Sequence, residues 1–337
     1  MPALTAIPLV SSRARLQPGG AGSFVVDTDD YTLEFDGSPA RLLHRIAHRF
    51  DGGHAVADLA AAAGCDANEL AALVATLRDH GAVLDLAAAV DAHSPREFAA
   101  SFRHECLFWS GEILAQPFWS RLMCGQASKT VVFGWGIEAC HYVESVNEYM
   151  AAAVANCALD HETRMLMGRH FAEESEHGEI FLHGLAGSGF AREAIVAAPP
   201  LPATRALMNF LFELACVDTF AIEATFNLMQ AGSEIVNHDR VNAFYGALTK
   251  FYPFAATMFD AFRKHALIDV DSSHGRTVFD AMCEVPNLVT PEIAARCVAA
   301  VRSAAEHFIL FFENIESYYG GDDALLPRRA VDVRALL

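Results

Sequence analysis

The sequence predicts a mainly α-helical protein in which a small α/β module precedes a large helical domain. Residues 23–36 alternate apolar and polar side chains around an Asp-Asp turn, as a short β-hairpin does. Residues 98–320 show only the apolar spacing of helices, interrupted by one Pro-rich joint at 198–205. A chain of 337 residues is long for one core and sufficient for two.

The first module is predicted to form a hairpin, three helices and a closing strand. The hairpin is SFVVDTDDYTLEFD, and GSPARLLHRIAHRFDGG follows as a helix with a Ser-Pro start and a Gly-Gly stop. HAVADLAAAAG and DANELAALVATLRDHGAVLDL provide two more amphipathic helices, the second ending in a short strand. Ser94-Pro95 opens the next helix. We therefore predict a winged-helix-like module at 1–92, a helical domain at 93–320 and a tail at 321–337.

A family resemblance can be named for this module. The run LEFDGSPARLLHRIAHRFDGGHAVADLAAAAG, continued by ELAALVATLRDHGAVLDL, resembles the PqqD-like domains that many peptide-modifying enzymes use to hold a leader peptide. The resemblance implies that a peptide adds as a strand to the hairpin edge and docks side chains against a helix. Ordinary winged helices share this element order, so a structural or dimerising wing stays an alternative. DNA binding is disfavoured because the segment is acidic.

Composition limits the partners and the location of the protein. The net charge of −18 argues against a nucleic-acid partner and an anionic membrane surface, because both attract Lys and Arg. No apolar run reaches the length of a membrane span, and the start MPALTAIPLVSSRARL lacks the basic segment of a secretory signal. The eight cysteines are scattered without a C-x-x-C pair, which suggests no zinc ribbon and no disulfide framework. We expect a cytoplasmic protein, as a homodimer.

The chemistry-bearing residues of the helical region begin with two Glu-x-x-His pairs, Glu138 with His141 and Glu174 with His177. On a helix this spacing lets both side chains reach one metal ion. Carboxylate plus imidazole suits iron or manganese with open positions for oxygen. Glu223 lies in CVDTFAIEATFNLM, a nearly all-apolar helix, where a carboxylate is costly unless it is paired or binds a metal.

The third candidate element is FRKHALIDVDSSHGRTVFDAM. His265 and Asp269 are one turn apart and share a helix face. On a straight helix His274, five residues beyond Asp269, points away from it, whereas it is three residues beyond Asp271. The helix therefore either bulges here or breaks at Asp271-Ser272-Ser273. Which of the two aspartates would bind a metal stays open.

The order Glu…Glu-x-x-His…Glu…His-x-x-x-Asp…His over residues 138–274 resembles the haem-oxygenase-like di-metal oxidases, which are relatives of the TENA and PqqC proteins. QPFWSRLMCG, EESEHGEIFLHGLAGSGF and AAEHFILFFENIESYY look like early, middle and closing segments of that fold, so the resemblance covers about residues 98–320. In the family the last His usually follows the Asp by three residues, where this chain has Ser272. His141 and Glu173 are neighbours able to substitute. The resemblance implies these metal ligands: Glu138, Glu174, His177, Glu223, His265, Asp269 and His274.

The resemblance implies a haem-oxygenase-like bundle that binds two Fe ions, with Mn as a possible substitute and O2 as co-substrate. The expected activity is a di-iron oxidase or oxygenase of natural-product biosynthesis. Its substrate is expected to be derived from an amino acid, either a small molecule or a residue of a ribosomal peptide held by the first module. The sequence does not identify catalytic side chains other than the metal ligands. The alternatives are a cofactor-free PqqC- or TENA-like enzyme, a ferritin-like di-iron bundle and a non-enzymatic peptide-binding adaptor.

Overall fold

The computed structural model of the chain describes residues 4–11, 14–28, 31–85, 95–230, 237–271, 277–285 and 289–329. The chain divides into two compact units, Met1–Ala92 and His93–Leu337. Each has its own apolar core.

The strands of the first unit form two small antiparallel sheets. In one, the order β2-β3-β4 places the predicted hairpin beside an additional strand, and Phe24 pairs with Phe35 across the hairpin. In the other, β1 pairs with β5. Within the described part of the chain, no strand pairs with the outer edge of β4, and its side chains alternate between exposed and half-buried. The strands are β1 (Pro8–Val10), β2 (Arg15–Pro18), β3 (Phe24–Asp27), β4 (Thr32–Phe35) and β5 (Val83–Asp85).

Three helices cover the core of this unit, as the periodicity predicts: α1 (Gly37–Ile46), α2 (Val56–Ala63) and α3 (Ala67–Asp79). Helix α2 ends at Gly64, whose left-handed φ of 61° favours glycine. The side chain of Asp66 then accepts hydrogen bonds from the backbone N–H groups that open α3. These local signals explain the end of α2 and the start of α3, whereas α1 ends at Ile46, before the predicted Gly-Gly stop. The PqqD-like identity of the unit stays a prediction.

All regular secondary structure in the described residues of the second unit is helical, as predicted. Its long closing helix begins after Thr290, whose hydroxyl caps it. Among the described residues, no helix has the length and apolar character to cross a lipid bilayer. The helices are α4 (Pro95–Leu114), α5 (Pro117–Met123), α6 (Lys129–Glu144), α7 (Val146–Asn156), α8 (His161–Glu174), α9 (His177–Gly187), α10 (Arg192–Ala197), α11 (Pro202–Val217), α12 (Thr219–Met229), α13 (His238–Phe251), α14 (Ala256–Asp271), α15 (Val278–Cys283) and α16 (Pro291–Tyr319).

Glycines let α9 pack closely against two neighbours, α6 and α14. A Cβ atom at Gly184 would lie 2.5 Å from the Cβ of Ala261 on α14, which is too close for two carbon atoms. A Cβ atom at Gly178 would lie 3.1 Å from the Cα of Glu144 on α6. Without these side chains α9, which carries His177, packs closely against α6 and against α14, which carries His265 and Asp269.

The Pro-rich joint connects α10 with α11 and is held by the chain that follows α16. The guanidinium of Arg328 donates hydrogen bonds to the carbonyl oxygens of Pro199 and Pro200, at 3.2 and 2.6 Å. The same guanidinium lies over the ring of Tyr318, 5.2 Å from its centroid. The described part of the predicted tail therefore packs on the helical unit.

Candidate metal centre

Two histidines and one glutamate from three helices meet in the interior of the second unit. One ligand atom from each of Glu174, His177 and His265 lies within 4.8 Å of the others. Nδ1 of His177 is 2.7 Å from Oε2 of Glu174, and the two imidazole ring centroids are 4.4 Å apart. His177 is buried, and the other two side chains are mostly shielded from solvent. A carboxylate with two imidazoles is a donor set typical of non-haem Fe(II).

The Glu-x-x-His motif spans a junction between two helices. The spacing predicts one helix, whereas α8 ends at Glu174 and α9 begins at His177. The two intervening residues, Ser175 and Glu176, keep helical backbone angles, with φ and ψ of −62° and −22° and of −100° and −5°. The side chains of the motif therefore still meet, because the junction preserves the helical rotation between them.

The two aspartates of the third element, Asp269 and Asp271, have different surroundings. Oδ2 of Asp269 lies 3.2 Å from Nδ1 of His265, and this carboxylate is therefore beside the site. Asp271 is exposed and its Oδ1 lies 3.0 Å from Nε2 of the exposed His238. Helix α14 ends at Asp271, and the predicted ligand His274 lies outside the described residues.

Glu174 and His177 favour each other's charged forms. Burial alone would raise the pKa of Glu174, but its close contact with His177 and the charges of the neighbouring histidines outweigh burial and lower that pKa. The close contact with Glu174 raises the pKa of His177, against the effect of burial. A cation bound by both side chains would therefore compete with the protonation of His177.

His265 and Asp269 are shifted toward their neutral forms. Burial, with the charge of His177, lowers the pKa of His265 to about 4. Burial, with the charge of Glu174, raises the pKa of Asp269 to about 7. Near neutral pH the imidazole of His265 is therefore unprotonated, which is the form that binds metals.

Glu223 lies in the middle of α12 and is 2% exposed. No hydrogen bond to its carboxylate exists among the described residues, and burial raises its pKa to about 8. The nearby Asp218 caps α12, and its negative charge is compensated by an ion pair with Arg296. A carboxylate isolated in an apolar interior is costly, and binding of a cation there would remove that cost.

Glu138 lies in a separate hydrogen-bonded cluster. Its Oε1 accepts from the hydroxyl of Tyr319 at 2.8 Å, and its Oε2 from the backbone N–H of Leu201 at 2.9 Å. Burial raises its pKa despite these bonds. Its motif partner His141 has its pKa lowered to about 4 by burial and by the charges of two arginines. The geometry does not bring this pair into the group around Glu174, and the ligand role of Glu138 stays a prediction.

Three side chains around the site, His170, Tyr142 and Tyr149, were not among the predicted site residues. Nε2 of His170 lies 3.8 Å from Oε1 of Glu174. Tyr142 donates a hydrogen bond to Sδ of Met229 at 2.9 Å. Burial raises the pKa of Tyr142 and of Tyr149, and the charge of Glu174 adds to this effect. The i, i+4 spacing of His170 and Glu174 was the available signal for the first.

Aromatic rings shield the centre from one side. The ring of Phe181 lies 5.0 Å from that of His265 and 4.3 Å from that of Phe262, measured between centroids. Such apolar surroundings lower the local dielectric constant and strengthen the interactions between the polar groups they enclose.

Comparison with known proteins assigns the family. Residues 134–308, just over half of the chain, match the family model described as an iron-containing redox enzyme, and every predicted ligand lies in that range. A domain of unknown function from Shewanella denitrificans OS217 with a heme oxygenase-like fold is 19% identical, with a TM-score of 0.54 over 70% of this chain and 96% of that chain. A TenA homologue from Pseudomonas syringae pv. tomato DC3000 is 13% identical, with a TM-score of 0.48 over 65% of this chain and 93% of that chain. No curated protein matches. The chain belongs to the family of iron-containing redox enzymes and has a haem-oxygenase-like fold.

Proposed function

We propose that the second unit holds two iron ions among its central helices and uses dioxygen to oxidise an amino-acid-derived substrate. The observation that carries the proposal is the buried group of Glu174, His177 and His265 in a chain of an iron-containing redox family. The isolated carboxylate of Glu223 supports a second ion, because its burial costs free energy that a cation would offset. Asp269 and His274 remain predicted ligands, and manganese is a possible substitute for iron.

The residues of the centre fit this chemistry. Bound ferrous iron would supply the electrons that reduce dioxygen, with open coordination positions for it. The Asp269 carboxylate orients His265 through Nδ1 and leaves Nε2 available to a metal. The rings of Phe181 and Phe262 keep water away from the histidines.

The first unit suggests the class of substrate. The outer edge of β4 offers unpaired backbone groups within the described part of the sheet, as strand addition by a peptide requires. We therefore propose a residue of a ribosomal peptide, held by this unit, as the substrate in a natural-product pathway. A free amino-acid derivative is the second candidate, because the centre lies entirely within the helical unit.

Anaerobic titration of the full chain with Fe(II) tests the metal proposal. We expect about two ions per chain and oxygen uptake after exposure to air, with a transient change in absorbance. His177→Ala and Glu223→Ala should lose oxygen uptake, whereas exposed Glu176→Ala and His183→Ala should keep it. Helix content measured by circular dichroism should be unchanged in all four variants.

Each alternative gives a different titration. One ion per chain would indicate a mononuclear centre, which the two imidazoles and one carboxylate of the central group also suit. No iron binding and no oxygen uptake would instead favour a cofactor-free enzyme or a peptide-binding adaptor.

A further inference from the structure

We infer that His170 is a further metal ligand, which binds the second ion of the proposed centre together with Oε1 of Glu174. This inference rests on the proposed two-iron centre and specifies where its second ion binds. Family resemblance did not predict it, because the resemblance implies no ligand at position 170.

The two carboxylate oxygens of Glu174 face different histidines. Oε2 lies 2.7 Å from Nδ1 of His177, and Oε1 lies 3.8 Å from Nε2 of His170. A separation of 3.8 Å is too long for a hydrogen bond. Two donor atoms that bind one ion at about 2.1 Å each are at most about 4.2 Å apart, so an ion fits between Oε1 and Nε2. One carboxylate can therefore contact an ion on each side.

His170 is directed toward α12. Its side chain is 11% exposed, and its ring lies 5.2 Å from that of Phe226 at an interplanar angle of 72°. Phe226 and Glu223 are three residues apart on α12 and therefore share a face of that helix. The face of α12 that carries Glu223 therefore packs against the ring of His170 through Phe226.

The simpler explanation is an ion pair between His170 and Glu174 that stabilises α8. Such a pair would form without iron, and its loss would leave the metal content unchanged. If an ion lies between them, loss of His170 should remove one of the two iron ions, and loss of Glu174 should weaken the binding of both. The metal content of single variants therefore separates the two explanations.

The experiment measures iron per chain after anaerobic loading of the full-length protein with Fe(II) alone and removal of unbound metal. The variants are His170→Ala, His170→Gln, His177→Ala and Glu174→Gln. The matched control is His161→Ala, which removes an exposed histidine from the same helix. Circular dichroism verifies folding, and electron paramagnetic resonance of the partly reduced protein reports coupling between two irons.

We expect about two irons in the wild type and in His161→Ala. Both substitutions of His170 should lower the content to about one and remove the coupled signal, as should His177→Ala. Glu174→Gln should lower it below one. Two irons in folded His170→Ala would overturn the inference and leave the two-iron proposal intact. One iron in the wild type would overturn that proposal, and the inference with it.

Discussion

Nδ1 of His265 lies 3.2 Å from Oδ2 of Asp269, one turn further along α14. This contact fixes the orientation of the imidazole ring and determines which of its nitrogens is free to bind a metal. The pair therefore assigns different roles to two aspartates that the sequence left equivalent.

Asp269→Asn should weaken the binding of Fe(II) about 10- to 100-fold, because the carboxylate contacts His265 and is itself a predicted ligand. Asp271→Asn is the matched control, since Asp271 contacts only His238 on the surface among the partners seen in the structure. Anaerobic titration with Fe(II) measures both. Equal losses in the two variants would contradict the assignment.

Glu223→Gln should stabilise the metal-free protein at pH 8 by about 2 kcal/mol or more. The pKa of Glu223 is about 8 in the folded chain, above its ordinary value of 4.5. Between these values the folded protein keeps a proton that the unfolded chain has released, so stability falls as the pH rises. Urea unfolding at pH 5 and pH 8 should show this fall in the wild type and a smaller one in the variant. The same slope in both would exclude this account of Glu223.

Gly184→Ala should destabilise the protein by about 1–3 kcal/mol, since its Cβ would collide with Ala261 and push α9 away from α14. Iron binding should weaken with it, because the two helices carry His177 and His265. Gly168→Ala on α8 is the control, since a Cβ there meets no atom within 4 Å. That change should stabilise by about 0.5–1 kcal/mol through helix propensity. Thermal unfolding compares the two, and equal effects would contradict the packing argument.

Removal of residues 1–92 should reduce turnover of a full precursor peptide far more than turnover of a free core fragment. The reason is that an added strand on β4 would raise the local concentration of the peptide. Rates for the two substrates, with the full chain and with the helical unit, measure the effect. An equal decrease for both would favour a structural role for the first unit and a small-molecule substrate.

The helices could be predicted because their signals are local. Periodicity, the Asp66 cap and the glycine at position 64 lie within a few residues of the ends they determine. Strands β1 and β2 were missed because they are short and owe their structure to distant partners. Pro8 pairs with Asp85, for example, and no alternating pattern marks either segment.

The candidate site was predictable where spacing on one helix, or across a helical junction, decides proximity. Glu174 with His177, and His265 with Asp269, are such pairs. Spacing could not reveal which of several pairs come together in space. Glu138 has the same motif as Glu174, but packing places it against Tyr319 and Leu201.

The two hydrogen bonds of Glu138 have a consequence for the order of folding. Its partners Leu201 and Tyr319 are 63 and 181 residues away along the chain. Two long stretches of chain must therefore close before protein hydrogen bonds replace those that the carboxylate loses to water. Contacts between such distant residues form slowly, and a nucleus that buried Glu138 early would carry an unsatisfied charge. We therefore expect the end of α16 to dock onto the Pro-rich joint in one of the last steps of folding. Contacts that form so late lower the unfolding rate and have little effect on the folding rate.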